Sequence, residues 1–212
     1  MKPGMAVFNK ERCINILEGL CKKSEESGPA EEADEPVSGE AETQETGRPF
    51  SEKLASMMSE QYTGEAHSAE LYYGIAAYLA DAHLSGLACF FRKQAQEERC
   101  HAMQFFDYIA EAGQLIKMGP MEGVKTSYEN VQDVARMFLD HEKKVTSKIF
   151  AIAEEARNSG DLYTAAWIER FLEEQLEEVR SAEDFSKHVE LVGNDGAGLL
   201  VLDEKYGRLA QE

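Results

Sequence analysis

The chain has no run of about 18 apolar residues, so no segment reads as a membrane-spanning helix. Positive charge is also scarce: 22 Lys and Arg stand against 40 Asp and Glu, for a formal net charge of -18. Binding to nucleic acid needs clustered cations, so that partner class is excluded, whereas cations are drawn to such a surface. The four cysteines, Cys13, Cys21, Cys89 and Cys100, make no C-x-x-C pair. They read as reduced thiols of a cytoplasmic protein rather than as a disulfide frame or a zinc site. Glu11, Arg12 and Glu18 interrupt the apolar residues near the N-terminus, which argues against a cleavable secretory signal. What remains is 212 residues with 43% hydrophobic content, enough for one globular domain and an appendage.

The appendage is legible as two pieces. Within residues 1–23, Cys13, Ile16, Leu17, Leu20 and Cys21 make one apolar stripe on a short amphipathic helix; the extension reads as passive, with a tethered docking helix for an unknown partner as the functional alternative. Residues 24–50 carry nine acidic residues against Arg48, with three prolines, too little apolar surface to fold, and read as an acidic disordered linker. Residues 51–212 form the folded domain.

Four helical patterns dominate that domain, and each breaks its apolar seam with a polar residue. One seam is Met58, Tyr62, Glu65, Ala69, Tyr72, Ala76 and Leu79. The second is Leu87, Phe91, Gln94, Glu98, His101, Phe105, Tyr108 and Ala112, in which Glu98 and His101 lie three apart and share a helix face. The third is Val131, Ala135, Phe138, Glu142, Val145, Ile149, Ile152 and Ala156. The fourth is Ile168, Phe171, Gln175, Glu178, Ala182, Phe185 and Val189. No Lys or Arg lies on these seams. Buried carboxylates without basic partners would cost several kcal/mol each, and bound metal is the economical remedy.

One glutamate from each of two helices plus a Glu-x-x-His pair is the ligand logic of di-iron carboxylate bundles. Glu98 follows Glu65 by 33 positions, as Gln175 follows Glu142, so two hairpins of equal geometry bring these groups to one level. Carboxylate oxygens with one imidazole suit iron or manganese, and zinc would bind as well.

Breaks in the pattern set the topology. The first helix, capped by Ser51, runs to about Ala82 and a short turn at residues 83–86 leads to the second, from about Gly86 to Ala112. Residues 114–130, with Gly119, Pro120 and Gly123, show no seam and read as one long crossover. The third helix covers about 131–157, the fourth about 161–191, and a short fifth covers Leu199 to Ala210. The expected fold is an all-α, ferritin-like four-helix bundle with that crossover and the small terminal helix.

The motifs that carry a family resemblance are Ser59-Glu60-Gln61-Tyr62-Thr63-Gly64-Glu65, Gln96-Glu97-Glu98-Arg99-Cys100-His101, Asp140-His141-Glu142 and Glu174-Gln175-Leu176-Glu177-Glu178. In that order, over residues 51–210, the chain resembles the bacterial-type non-haem ferritins. The resemblance implies a homo-oligomeric cage of 24 subunits that oxidises Fe(II) with O₂ or H₂O₂ at an intrasubunit di-iron centre and stores ferric mineral inside. Carried over, Glu65, Glu98 and His101 hold one iron and Glu98, Glu142 and Glu178 the other, with Glu98 bridging. Gln175 is the nearby polar residue, Tyr72 the tyrosine beside the centre, and Glu97, Glu174 and Glu177, sharing Glu178, a third iron site.

One position departs from the family pattern: Arg170 stands where a tryptophan is usual, and Trp167 lies one turn earlier. Haem is not expected, because Arg99 follows Glu98 where the haem-binding relatives have methionine. A C-x-x-C iron domain and a basic DNA-binding tail are also lacking, which argues against two other di-iron classes. The competing class is a non-catalytic metal-binding bundle or an assembly adaptor recruited through residues 1–23.

Overall fold

In a computed structural model of the chain, residues 50–193 and 195–211 are described. Five helices make up the described secondary structure: α1 (Glu52–Asp81), α2 (Ser85–Glu111), α3 (Val131–Asn158), α4 (Leu162–Val192) and α5 (Gly196–Leu209). The amphipathic helix expected in residues 1–23 lies outside the described residues. So does the linker expected over 24–50, apart from Phe50, which is buried against Tyr108 with ring centroids 6.3 Å apart.

Local signals start four of the five helices. Ser51 Oγ accepts from the Leu54 amide at 3.1 Å, Asn130 Oδ1 from Asp133 at 2.9 Å, and Asp161 Oδ1 from Thr164 at 3.0 Å. Asp195 Oδ2 accepts from the Gly198 amide at 2.9 Å, and this cap starts α5 three residues ahead of the expected Leu199. α2 has no side-chain cap of its own. Its Leu87 amide instead donates to Asp203 Oδ1 of α5 at 2.8 Å.

α1 and α2 form one hairpin and α3 and α4 another, while α5 packs on α2 and α4. The crossover runs alongside α1 in the same direction. The Lys117 amide donates to Ser59 Oγ at 3.2 Å, the Gly119 amide to Thr63 Oγ1 at 3.3 Å, and the Tyr128 ring meets Tyr78 at 5.2 Å. A Cβ on Gly74 would come within 2.7 Å of the Lys125 carbonyl oxygen, so glycine is required where the strap crosses. The strap returns the chain to the end at which α2 began, and α3 therefore runs parallel to α2, the one-crossover topology that the sequence suggests. Among the described residues no helix is long and apolar enough to cross a membrane.

The expected seams are buried, except for Glu178 on α4, which is half-buried, and for a shift of register on α1. Gln61, not Tyr62, turns inward; Tyr62 is half-buried and packs on Phe106 at 5.9 Å. Either residue fits a three-or-four step from Met58 to Glu65, and the carboxylate of Glu65 selects the amide. Two apolar clusters make the core. One joins Leu71, Ile75, Phe91, Phe138 and Phe185; the other joins Leu54, Met58, Phe105, Ile149 and Phe171. Between them lies a belt of buried polar residues, Gln61, Glu65, Ser68, Glu98, His101, Glu142 and Gln175.

Candidate metal centre

The belt is held level by the hairpins. Glu65, Glu98 and His101 each offer a ligand atom, and these atoms lie within 4.8 Å of one another in the buried interior. His101 Nδ1 is 3.8 Å from Glu98 Oε2 and its Nε2 is 3.7 Å from Glu174 Oε2, separations too long for hydrogen bonds. Gln61 Nε2 donates to Glu65 Oε1 at 2.7 Å, which orients that carboxylate and leaves Oε2 to the site. On the α3 side the Tyr72 hydroxyl donates to Glu142 Oε1. The outer oxygens Glu65 Oε2, Glu98 Oε2 and Glu142 Oε2 are buried with no hydrogen-bond partner.

Electrostatics describes the same site as short of cations. Burial, followed by the neighbouring Glu98 charge, holds the Glu65 carboxyl well above the usual range. Glu98 is likewise raised by burial and by Glu142, Glu178 and Glu97, with its hydrogen bond to Glu65 acting the other way. Burial pushes Glu142 up to about 7, against the help of Tyr72. Burial alone would depress His101, yet Glu65, Glu174, Glu178 and Glu97 together raise it. Tyr72 is held above its ordinary value by burial and by Glu142 and Glu98. Removing the protons that these groups retain requires positive charge in their place. Three unpartnered carboxylate oxygens and one imidazole form a donor set suited to hard divalent ions.

The other expected residues are placed less uniformly. Glu178 is half-buried rather than buried, while its seam neighbours Gln175 and Ala182 are buried. Its charge still acts on Tyr72, Glu98 and His101. Gln175 is buried, and its Oε1 accepts from Thr146 Oγ1 at 2.8 Å. Glu97 is half-buried and its Oε2 accepts from Gln94 Nε2 at 2.5 Å. Glu174 is half-buried beside His101, and Glu177 is exposed. The Arg170 guanidinium stacks over Trp167 at 4.6 Å and Phe171 at 5.0 Å. Trp167 in turn stacks on Tyr108 at 4.2 Å.

Sequence reading missed two supporting groups. Gln61 lies four residues before Glu65, a spacing that could have revealed it. Ser68 and His141 could not have been paired from sequence: Ser68 Oγ lies 2.7 Å from His141 Nε2 across the α1–α3 interface, and the imidazole stands edge-on to Tyr72 at 5.7 Å. Burial, together with the neighbouring His67, Lys148 and Lys144, lowers His141 to about 4, so it is neutral at physiological pH.

Comparison with known proteins agrees with this fold. Residues 56–192 match the family model described as ferritin-like domain. The bacterial non-heme ferritin of Staphylococcus epidermidis is 30% identical over 156 residues, 74% of this chain and 93% of the relative. That of Escherichia coli O6:H1 is 27% identical over 157 residues, 74% and 95% of the two chains. An open-pore ferritin from the hyperthermophilic archaeon Archaeoglobus fulgidus superposes with a TM-score of 0.73 at 31% identity, covering 75% of this chain and 97% of the archaeal one.

Proposed function

The chain belongs to the ferritin-like domain family, and from that membership we propose that it is an iron-storage ferritin with its own ferroxidase centre. The observation that carries the reading is the buried triad of Glu65, Glu98 and His101 beside Glu142, with one carboxylate oxygen of each glutamate unpartnered. Iron is here substrate and cargo. Glu65 and His101 bind one Fe(II), Glu142 and Glu178 the other, and Glu98 lies between them as the shared ligand. Two ions held this close each give one electron, and O₂ accepts the pair with two protons to leave H₂O₂. H₂O₂ as oxidant accepts two electrons and two protons to leave water.

The chain's own groups set the terms of that step. Glu65, Glu98 and Glu142 lose their retained protons as the cations enter, so loading is proton-coupled. Tyr72 fixes the orientation of Glu142 by its hydrogen bond. Glu97, Glu174 and Glu177, at the half-buried and exposed edge of the site, form a third iron position and take ions leaving the centre. Assembly into a 24-subunit cage, in the cytoplasm and without haem, completes the proposal. The relatives named bacterial non-heme ferritin and the ferritin-like architecture support it. Exposed apolar side chains such as Leu115, Leu162, Tyr163 and Leu191 offer area for subunit contacts.

The test is stopped-flow absorbance on mixing anaerobic protein, titrated with Fe(II), with oxygenated buffer, with Glu98→Ala alongside. Fast oxidation saturating at two or three irons per subunit and lost in the variant is expected. Equally slow oxidation in both proteins would leave a bundle that binds metal without turning it over.

A further inference from the structure

A cavity of about 860 Å³ opens between α1, α3 and the crossover, and its lining reaches Gln61 and Ser68 at the edge of the polar belt. Lys143, Lys144 and Lys148 of α3 all line it, together with His67 and His141. None of the three lysines makes an ion pair with a described residue, in a chain that has 40 acidic side chains to 22 basic ones. The Lys148 ammonium reaches across to α1, 3.7 Å from where a Cβ on Gly64 would stand. Lys144 and Lys148 also act on His141 in the cavity wall. His67 Nε2 is a buried ring nitrogen with no hydrogen-bond partner in the same wall.

We propose that this cavity binds a small molecule through its phosphoryl group, with Lys144 and Lys148 as the principal charge partners and Lys143 at the rim. An acidic protein repels anions over most of its surface, so three ammonium groups free of ion pairs with described residues around one concavity mark a place where an anion can be held. Lysine serves phosphate as a mobile point charge with three donors. The carboxylates in the lining, Glu60, Glu122 and Asp140, equal the lysines in number but form no ion pair with them; Glu60 accepts from Ser56 Oγ at 3.2 Å. A divalent cation approaching the centre by this route would meet three ammonium groups. The volume falls in the roughly 300–1,000 Å³ range of sites for organic ligands and is far larger than a bare oxyanion fills. Pro120, Met121 and Val145 add an apolar wall against which a ring could lie.

The test needs no iron, so its failure and the failure of the ferroxidase reading are separate results. Titration calorimetry on the full-length, metal-free, assembled protein uses adenosine monophosphate and inorganic phosphate as probes at one fixed ionic strength. The expected result is saturable binding near one site per subunit, weakened at least tenfold in Lys144→Gln/Lys148→Gln and unchanged in Lys187→Gln on α4. Tighter binding of the nucleotide identifies an organic phosphate, and equal binding of both probes identifies the phosphoryl group alone as the ligand. Absence of saturable binding of either probe overturns the proposal, as does unaltered binding in the double variant. Met121→Glu, which places a carboxylate on an exposed lip, is the second variant; should the lysine variant not assemble, undiminished binding in Met121→Glu overturns it equally.

Discussion

The carboxylate of Asp203 accepts a hydrogen bond from the Leu87 amide at 2.8 Å, so the last helix caps the second. Two glycines permit the approach: a Cβ on Gly86 would strike the Asp203 carbonyl, and one on Gly207 would lie 3.0 Å from the Gly86 Cα. Negative charge at a helix N-terminus adds a favourable dipole interaction. α5, too short to be stable alone, is thereby tied to the bundle at 116 residues' separation.

Asp203→Ala is expected to lower stability by about 1 kcal/mol, the usual loss for a helix cap. Gly86→Ala should do more damage, because the obstacle is backbone. Thermal unfolding followed by circular dichroism measures both. A melting temperature unchanged in both variants would mean that α5 contributes nothing to the bundle.

The metal-free protein should lose stability as pH rises from about 5 to about 8. Glu142 sits at about 7 in the fold against 4.5 when unfolded, and Glu65 and Glu98 are raised in the same direction. In that window the unfolded chain gives up protons that the folded one retains, so rising pH favours unfolding. His101, raised above 6.5, contributes with the same sign. Glu142 alone accounts for roughly 3 kcal/mol at about 1.4 kcal/mol per pKa unit. Calorimetric melting at pH 5, 6.5 and 8 checks this, and a melting temperature that climbs across the series would contradict it.

Glu98→Gln should act in opposite directions on the two states. Without metal at pH 7.5 it removes a carboxyl whose ionisation burial and three neighbouring glutamates oppose, and the melting temperature should hold or rise. With Zn(II), a redox-inert probe of the same donor set, the wild-type protein should gain stability and the variant much less. Equal zinc-induced shifts would show that Glu98 is not a ligand.

Deletion of residues 1–49 is expected to leave the oligomer intact, since α1 starts on its own cap at Ser51. Size-exclusion chromatography with light scattering reads the result directly. Dissociation of the deleted form would give the extension a role in assembly.

Sequence by itself determined the helices and most of the site. The three-and-four spacing of Leu87, Phe91, Glu98, His101 and Phe105 leaves one way to bury the apolar residues, and that way also buries the carboxylate and imidazole. The caps at Ser51, Asn130 and Asp161 are local interactions over three residues and are legible for the same reason. Only tertiary structure decided what depends on distance between chain segments. Glu178 stays half-buried although its seam neighbours Gln175 and Ala182 are buried, which the periodicity alone does not distinguish. The Ser68–His141 pair, the Asp203 cap and the cavity that α3 lysines line together with α1 and the crossover join residues with no common periodicity. A helical pattern specifies which face a residue occupies; the packing of one helix on another specifies what that face meets.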